Sequence, residues 1–292
     1  WYDAAAINRS RERVDRLGFF DEVTVETPPV PGATDQVDVN FGVKERATGN
    51  LMLGAGFSSS EKIVLSASIS QQNLFGSGNA MTLGLNTSSS SRTYALSFTN
   101  PYYTVDGVSL GWDVYHRTYD PSESYSVARY KTVSTGAGLR LGFPIAEDDS
   151  ISFGLSADRT KITTYDESPS QYKDFCIDFG CSDASGVGNV TVSSLLLTAG
   201  WSRDSRDSFL YPRKGVYQRV YGEISMPPGD LRYTKLNYQY QHWFPIGRDY
   251  ALMLNGDIGW ANGYGGKPVP FYKNFYVGGI GSVRGFDQSS LG

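Results

Sequence analysis

Charged residues are scarce in this chain of 292 residues. Lys, Arg, Asp and Glu together make 19% of it, and the net charge is only −4. Without a basic excess, nucleic acid is not expected as a partner. Long hydrophobic runs are also missing: residues 63–91 carry no charge but are rich in Ser, Gln, Asn and Gly. That stretch is too polar for a membrane helix, so no transmembrane helix is predicted.

Cysteine and histidine are nearly absent. Cys176 and Cys181 are the only two cysteines, and their spacing predicts one small disulfide that staples a loop in an oxidising compartment. Metal binding is the lesser alternative, because His116 and His242 fall in separate predicted strands and no second cysteine pair exists. Asp113 and His116 lie three positions apart on one strand, hence on opposite faces, so no catalytic pair is predicted.

Aromatic residues and glycine are abundant: the sequence has 14% Phe, Trp and Tyr and 33 glycines. From Gly49 onward, about eleven segments alternate apolar and polar residues, as in residues 151–158 (ISFGLSAD). Such alternation indicates strands with one apolar and one polar face. We therefore predict an all-β fold, an antiparallel transmembrane β-barrel, with a soluble β-sandwich as the alternative.

The first 48 residues differ from the rest. Asp3 is placed to cap a helix of about 15 residues, and Gly18 is placed to end it. Two alternating runs, residues 23–26 and 37–41, predict strands joined by a proline-rich loop. This is too little to bury a core alone, so residues 1–48 are interpreted as the end of a small α/β domain and residues 49–292 as the barrel.

The connections between predicted strands fall into two alternating sets. One set is compact: residues 73–79, 100–107, 142–149, 205–215 and 244–249. The other set contains the two most extended connections, residues 118–129 and 164–189. Outer-membrane barrels have short periplasmic turns and longer external loops, so the compact set is predicted to face the periplasm.

An odd number of strands does not suit a bacterial single-chain barrel. We therefore expect the sequence to be a fragment of a longer protein, cut at both ends, with further strands beyond its last residue.

Several segments resemble one family along essentially the whole chain. Residues 17–23 (LGFFDEV) and 43–46 (VKER) resemble the last POTRA domain of the BamA family of outer-membrane assembly factors. Residues 73–78 (NLFGSG), 99–111 (TNPYYTVDGVSLG) and 270–276 (PFYKNFY) are similar to barrel segments of that family, in the same order. The resemblance implies about eleven strands, strands 1–11 of a barrel that has sixteen in this family, followed by the start of external loop 6.

The most specific segment is residues 282–286 (SVRGF), which is similar to a loop motif of the superfamily. The resemblance implies that Val283, Arg284, Gly285 and Phe286 fold back into the lumen, where the arginine meets carboxylates on later strands. Those strands lie beyond this sequence. A confined guanidinium needs such acceptors, because it cannot be neutralised by losing a proton.

The first barrel strand is predicted at residues 50–58 and contains two glycines that weaken its interior. The resemblance implies that this strand forms a weakly paired edge which accepts strands from client proteins. The candidate strand-pairing residues are Asn50, Leu51, Met52, Leu53, Gly54, Ala55, Gly56 and Phe57. Ordinary glycines for barrel curvature are an equal alternative for Gly54 and Gly56.

The resemblance implies a non-enzymatic insertase in the outer membrane of a Gram-negative bacterium, without cofactor or metal. Expected partners are unfolded β-barrel precursors, accessory lipoproteins, periplasmic chaperones and the lipid bilayer. The alternative function is a two-partner secretion transporter, which exports one polypeptide through the lumen. Phe286 disfavours it, because such transporters usually have Tyr after Arg-Gly, and a passive porin would require neither the POTRA segment nor the loop motif.

Overall fold

The structure is a computed structural model that describes residues 3–33, 35–58, 61–121, 129–181, 183–208, 211–247, 250–279 and 282–286. Within these ranges, no helix combines the length and the apolar character needed to cross a membrane. Strands dominate the chain. They form two antiparallel sheets, one of two strands and one of eleven.

The N-terminal segment contains one helix and the small sheet. Helix α1 spans Ala4–Arg16, and the Asp3 carboxylate accepts hydrogen bonds from the backbone N–H groups of Ala5 and Ala6 at 2.9 and 3.0 Å. Gly18 follows the helix with a φ of +70°, a conformation that favours glycine. The predicted cap and stop are therefore confirmed.

The two strands that follow are β1, Phe20–Glu26, and β2, Asn40–Glu45. The prediction of the second strand at residues 37–41 was wrong by several positions. Val37 makes only an isolated bridge to Pro29. The Asp38 N–H donates a hydrogen bond to the Pro28 carbonyl, but Pro28 has no N–H with which to return one, so the ladder does not extend past this pair. The pairing instead runs from Glu26 opposite Asn40 to Phe20 opposite Glu45, with a register shift between Phe20 and Glu22.

Each strand of the large sheet pairs with its neighbours in sequence, which makes the sheet a continuous meander. The strands are β3 Gly49–Ser58, β4 Lys62–Gln71, β5 Ala80–Thr87, β6 Ser91–Asn100, β7 Ser109–Tyr119, β8 Tyr130–Pro144, β9 Asp149–Thr164, β10 Gly188–Asp204, β11 Gly215–Met226, β12 Tyr233–Ile246 and β13 Tyr250–Gly263. The predicted count of eleven strands is confirmed.

The two faces of this sheet differ as the alternation predicted. On β9, Phe153 and Leu155 project from one face and are about half exposed, whereas Thr160 and Ile162 on the other face are buried. We call the face carrying Ile162 the inner face, because the later loops pack against it, and the opposite face the outer face. In register with Leu155 lie Leu139 of β8 and Leu197 of β10, so the outer face is continuously apolar at mid-strand.

The connection between β9 and β10 contains a helix, α2 (Ser170–Asp178), where the sequence pattern predicted only an extended loop. Its Tyr172 and Phe175 are buried against the inner face near Ile162. The helix has only nine residues and no side-chain cap, so local sequence signals are weak. Burial of its aromatic side chains, rather than helix propensity, accounts for its formation.

The two cysteines lie at the end of α2. Cys176 and Cys181 are joined by a disulfide with a Cα–Cα distance of 4.9 Å, and the Cys181 N–H donates a hydrogen bond to the Cys176 carbonyl at 2.8 Å. Cys176 is fully buried. The bridge thus closes a tight turn beneath the helix, as the five-residue spacing predicted.

The register predicts a strong difference between the two faces at one site. In the complete parent protein, we expect Leu155→Arg to reduce the free energy of unfolding by about 2–4 kcal/mol, because it places a charge against lipid near the middle of the membrane. Its neighbour Ser156 lies on the inner face, so Ser156→Arg should cost much less. Equilibrium unfolding of both variants in lipid vesicles measures this difference, and equal losses would contradict the assignment of faces.

A second prediction concerns the short connection between β11 and β12. Asp230 accepts hydrogen bonds from both the backbone N–H and the hydroxyl of Ser193, each at 2.7 Å. The N–H bond is the largest cause that holds the pKa of Asp230 below its usual value. A depressed pKa means that the carboxylate stabilises this connection above the usual Asp pKa near 4, and that this stability is lost as pH falls through the lower folded value.

We expect hydrogen exchange at the Ser193 amide, corrected for the intrinsic pH dependence, to stay slow from pH 7 to pH 5 and to accelerate below about pH 4. Asp230→Ala should accelerate it about fivefold at neutral pH, since one charge-assisted hydrogen bond is removed. The Leu197 amide, further along β10, serves as the control. Unchanged exchange at Ser193 in the variant would show that the bond contributes nothing.

Candidate functional site

Strand β3 is one edge of the large sheet. Its pairing with β4 is complete over ten residues, from Gly49 opposite Gln71 to Ser58 opposite Lys62. Within the described residues, β3 has no strand on its other side. The N–H and C=O groups on that side are therefore directed toward a position that another strand can occupy.

The side chains of β3 divide between the two faces. Leu51, Leu53 and Phe57 project from the outer face and are 63–79% exposed. The inner-face positions are Asn50, Met52, Gly54 and Gly56, in register with β4 residues as far as Val64. The predicted strand-pairing residues 50–57 thus form one continuous strand with an apolar outer side.

The two glycines in the interior of β3, Gly54 and Gly56, have different surroundings. A Cβ atom added at Gly54 would lie 2.5 Å from the Ser66 hydroxyl oxygen, so the glycine allows this close approach. A Cβ added at Gly56 would have no neighbour within 4 Å. A side chain at Gly54 would therefore require the Ser66 hydroxyl to rotate away, whereas Gly56 leaves open space beside the edge.

A groove of about 680 Å³ lies on the outer face next to this edge. Leu53 and Ala55 of β3 line it together with Leu65 of β4, Leu85 of β5 and Tyr94 of β6. Most of the lining is apolar, which fits contact with lipid chains, and Arg92 of β6 is the one charged residue among the described residues that line it.

The segment that follows β13 folds onto the inner face. The Lys235 ammonium donates a hydrogen bond to the Lys273 carbonyl at 2.7 Å and lies 4.1 Å from the centre of the Phe275 ring. The Tyr264 hydroxyl donates a hydrogen bond to the Ser225 carbonyl. A Cβ added at Gly259 would lie 2.6 Å from the Phe275 ring, so a glycine is needed for this ring to pack on β13.

Phe271 connects this segment to helix α2. Its ring stacks on Tyr172 at 4.1 Å and meets Tyr130 of β8 edge-on at 5.0 Å. Phe271 itself is 4% exposed, and burial raises the pKa of the neighbouring Tyr272 above its usual value. Sequence reasoning missed this cluster, although Phe271 and Tyr272 stand in one of the recognised motifs, because nothing in the local pattern pairs that motif with residues 170–178.

The loop motif Val283, Arg284, Gly285 and Phe286 lies beyond this anchored segment. The Gly279 N–H donates a hydrogen bond to the Phe286 carbonyl at 3.0 Å, and Gly285 has a φ of +90°. The motif is exposed in the structure. No described carboxylate lies within ion-pair distance of Arg284, so its implied luminal carboxylate contacts remain a prediction about later strands.

The structure separates the one nearby acid–histidine pair in the sequence. Asp113 projects from the inner face and lies 3.3 Å from Arg140, whereas His116 projects from the outer face and bonds to the Thr135 hydroxyl at 2.8 Å. This agrees with the prediction from strand periodicity. The two side chains cannot cooperate in acid–base chemistry, because the sheet lies between them.

Comparison with known families assigns both parts of the chain. Residues 73–292 match the model of the Omp85 superfamily domain, and residues 1–46 match the POTRA model, described as a surface antigen variable number repeat. Together these two matches cover all of the chain except residues 47–72.

Named relatives have similar sequences over the whole chain. The chain is 42% identical to the outer membrane protein assembly factor BamA of Neisseria meningitidis serogroup B, covering 100% of this chain and 37% of the relative. It is 26% identical to the human sorting and assembly machinery component 50 homolog, covering 98% of this chain and 58% of that protein. The chain thus spans little more than a third of the length of the Neisseria relative.

Solved structures agree with this assignment. The crystal structure of BamA from Haemophilus ducreyi lacking POTRA domains 1–3 matches with a TM-score of 0.88 and 29% identity, covering 100% of this chain and 56% of that one. CdiB from Acinetobacter baumannii matches with a TM-score of 0.57 and 17% identity, covering 96% of this chain and 51% of that one, which shows the fold alone. The large sheet therefore lies in the outer membrane of a Gram-negative bacterium and the N-terminal segment in the periplasm. The chain belongs to the Omp85 superfamily.

Proposed function

We propose that this chain is part of an insertase that folds β-barrel precursors into the outer membrane by pairing their strands with β3. The similarity to assembly factors along the full sequence supports this proposal. The observation that carries it is the edge of β3, which is apolar on its outer side and has no second strand partner within the described residues.

Backbone pairing suits an insertase with many clients. An incoming strand that pairs with β3 satisfies its N–H and C=O groups through the backbone, so affinity does not depend on one client sequence. Unpaired backbone groups are costly in the hydrocarbon region. Pairing at the edge therefore lets a client strand enter the membrane with its polar groups already satisfied on one side, and no nucleotide is required as an energy source.

The faces of β3 also suit such a client. Its outer side chains, Leu51, Leu53 and Phe57, continue the lipid-facing surface, whereas the inner positions near Gly54 and Gly56 have little bulk. A client strand of the same alternating pattern would align its apolar residues with this surface. The proposed role is not enzymatic and involves no metal or cofactor.

The proposed partners are unfolded outer-membrane β-barrel precursors, with accessory assembly lipoproteins and periplasmic chaperones in the complete protein. The POTRA part ends where β3 begins, at the periplasmic end of that strand, where the Gln72 N–H donates a hydrogen bond to the Thr48 carbonyl beside the Gly49–Gln71 pair. This position fits the delivery of clients to the edge from the periplasm.

Crosslinking from two matched glycines tests strand pairing. Gly56 of β3 and Gly84 of β5 both lie on the inner face, and an added Cβ would meet nothing within 4 Å at either position. Gly84, unlike Gly56, is on a strand paired on both sides, with β4 and β6. In the complete parent protein, we expect Gly56→Cys to form disulfide adducts with cysteines in the terminal strands of several barrel precursors, and Gly84→Cys to form none.

The same crosslinking experiment distinguishes an insertase from a two-partner secretion transporter. Adducts with a single exported polypeptide, obtained from Arg284→Cys rather than from Gly56→Cys, would indicate a two-partner secretion transporter. Equal client adducts from Gly56→Cys and Gly84→Cys would show that the edge has no special role. A folding check on both variants, by heat-dependent electrophoretic mobility, excludes general unfolding as the cause.

A further inference from the structure

The outer face of β8, β9 and β10 changes character toward the end that lies away from the POTRA segment. Four successive rows of residues paired across the three strands show this change. In each row the residues are given in the order β8, β9, β10. The rows are Leu139, Leu155, Leu197; then Ala137, Ala157, Leu195; then Thr135, Arg159, Ser193; and then Val133, Lys161, Thr191. The apolar surface thus ends where two cations, Arg159 and Lys161, begin.

These two cations have no acidic partner in the described part of the chain. Both side chains belong to exposed residues, and no described carboxylate lies within 4.0 Å of either. The next outer-face cation along the strands, Lys131, lies 3.6 Å from Asp120. The nearby Asp230 is held by two hydrogen bonds from Ser193, which neighbours Arg159 across the β9–β10 pair.

A groove of about 380 Å³ runs beside Arg159 on the same face. Ala157 and Leu195 form part of its lining, as do Thr135 and Gly229. The small side chain of Ala157 leaves room directly below the guanidinium. The groove therefore joins an apolar surface to a cation at one end.

We propose that Arg159 and Lys161, which we call the cationic patch, bind a phosphate monoester on the headgroup of a lipid in the outer leaflet of the membrane. A guanidinium matches phosphate oxygens with two parallel hydrogen bonds, and an ammonium adds a second positive charge. One acyl chain of the lipid would lie in the groove over Ala157 and Leu195. The proposal depends on the membrane position of the sheet and not on the insertase function.

A lipid fits the patch better than a soluble anion does. The cations lie two and four residues beyond Ala157 on β9, at the boundary between apolar and polar outer-face rows, where lipid phosphates are found. The whole chain has a net charge of −4, so the attraction is local. An anion in solution would use the two charges but not the apolar groove below them.

Native mass spectrometry of the full-length parent protein tests the proposal. The protein is placed in nanodiscs of phosphatidylcholine and a diphosphorylated glucosamine disaccharide lipid, and the retained lipid is counted. We expect the double variant Arg159→Gln, Lys161→Gln to lower the apparent affinity for the phosphorylated lipid about tenfold or more. The same lipid without its phosphates should bind both proteins equally weakly.

Arg203→Gln is the matched control, because Arg203 is an exposed outer-face cation on β10 at the opposite, periplasmic end. It should retain the phosphorylated lipid like the parent. Equal retention by the double variant would overturn the proposal and leave the cations merely solvated. Displacement of the lipid by millimolar inorganic phosphate would also overturn it, since the site would then select a soluble anion.

Discussion

Satisfaction of backbone hydrogen bonds within lipid is the constraint on which this structure depends. Strands β4 to β12 each pair on both sides, so their N–H and C=O groups are satisfied without water. β3 has one strand partner within the described residues, yet its outer side chains are as apolar as those of the paired strands. A strand with lipid-facing apolar side chains that is paired on only one side can form hydrogen bonds with another strand. The proposed function follows from this property.

Side chains alternate between the two faces of each strand. Apolar side chains on the outer face contact lipid, and side chains on the inner face make specific contacts. The inner face holds polar pairs such as Asp113 with Arg140, and it also holds the loop that follows β13. Phe271 fixes that loop between helix α2 and strand β8. Aromatic packing at Phe271 therefore anchors the segment that precedes the exposed Arg284 motif.

Much of the fold could be predicted from local patterns. The Asp3 cap needs only a short carboxylate before a run of helix formers, and the eleven strands need only the two-residue alternation of side chains. Strand periodicity alone also separated Asp113 from His116. The disulfide between Cys176 and Cys181 could be predicted because these are the only two cysteines of the sequence and lie five positions apart.

Contacts between distant segments were decided only by the tertiary structure. The shift of β2 to Asn40–Glu45 depends on its register with β1, and helix α2 forms because Tyr172 and Phe175 become buried by residues far away in sequence. The cationic patch exists because the strand registers align Arg159 and Lys161 above the apolar rows of β8 and β10. The sequence by itself determined the eleven strands of the large sheet, which of their faces is apolar, and the family, because periodicity and motifs are local. The packing of the inner loop and the position of the cations required the folded sheet, because they depend on which residues meet across strands.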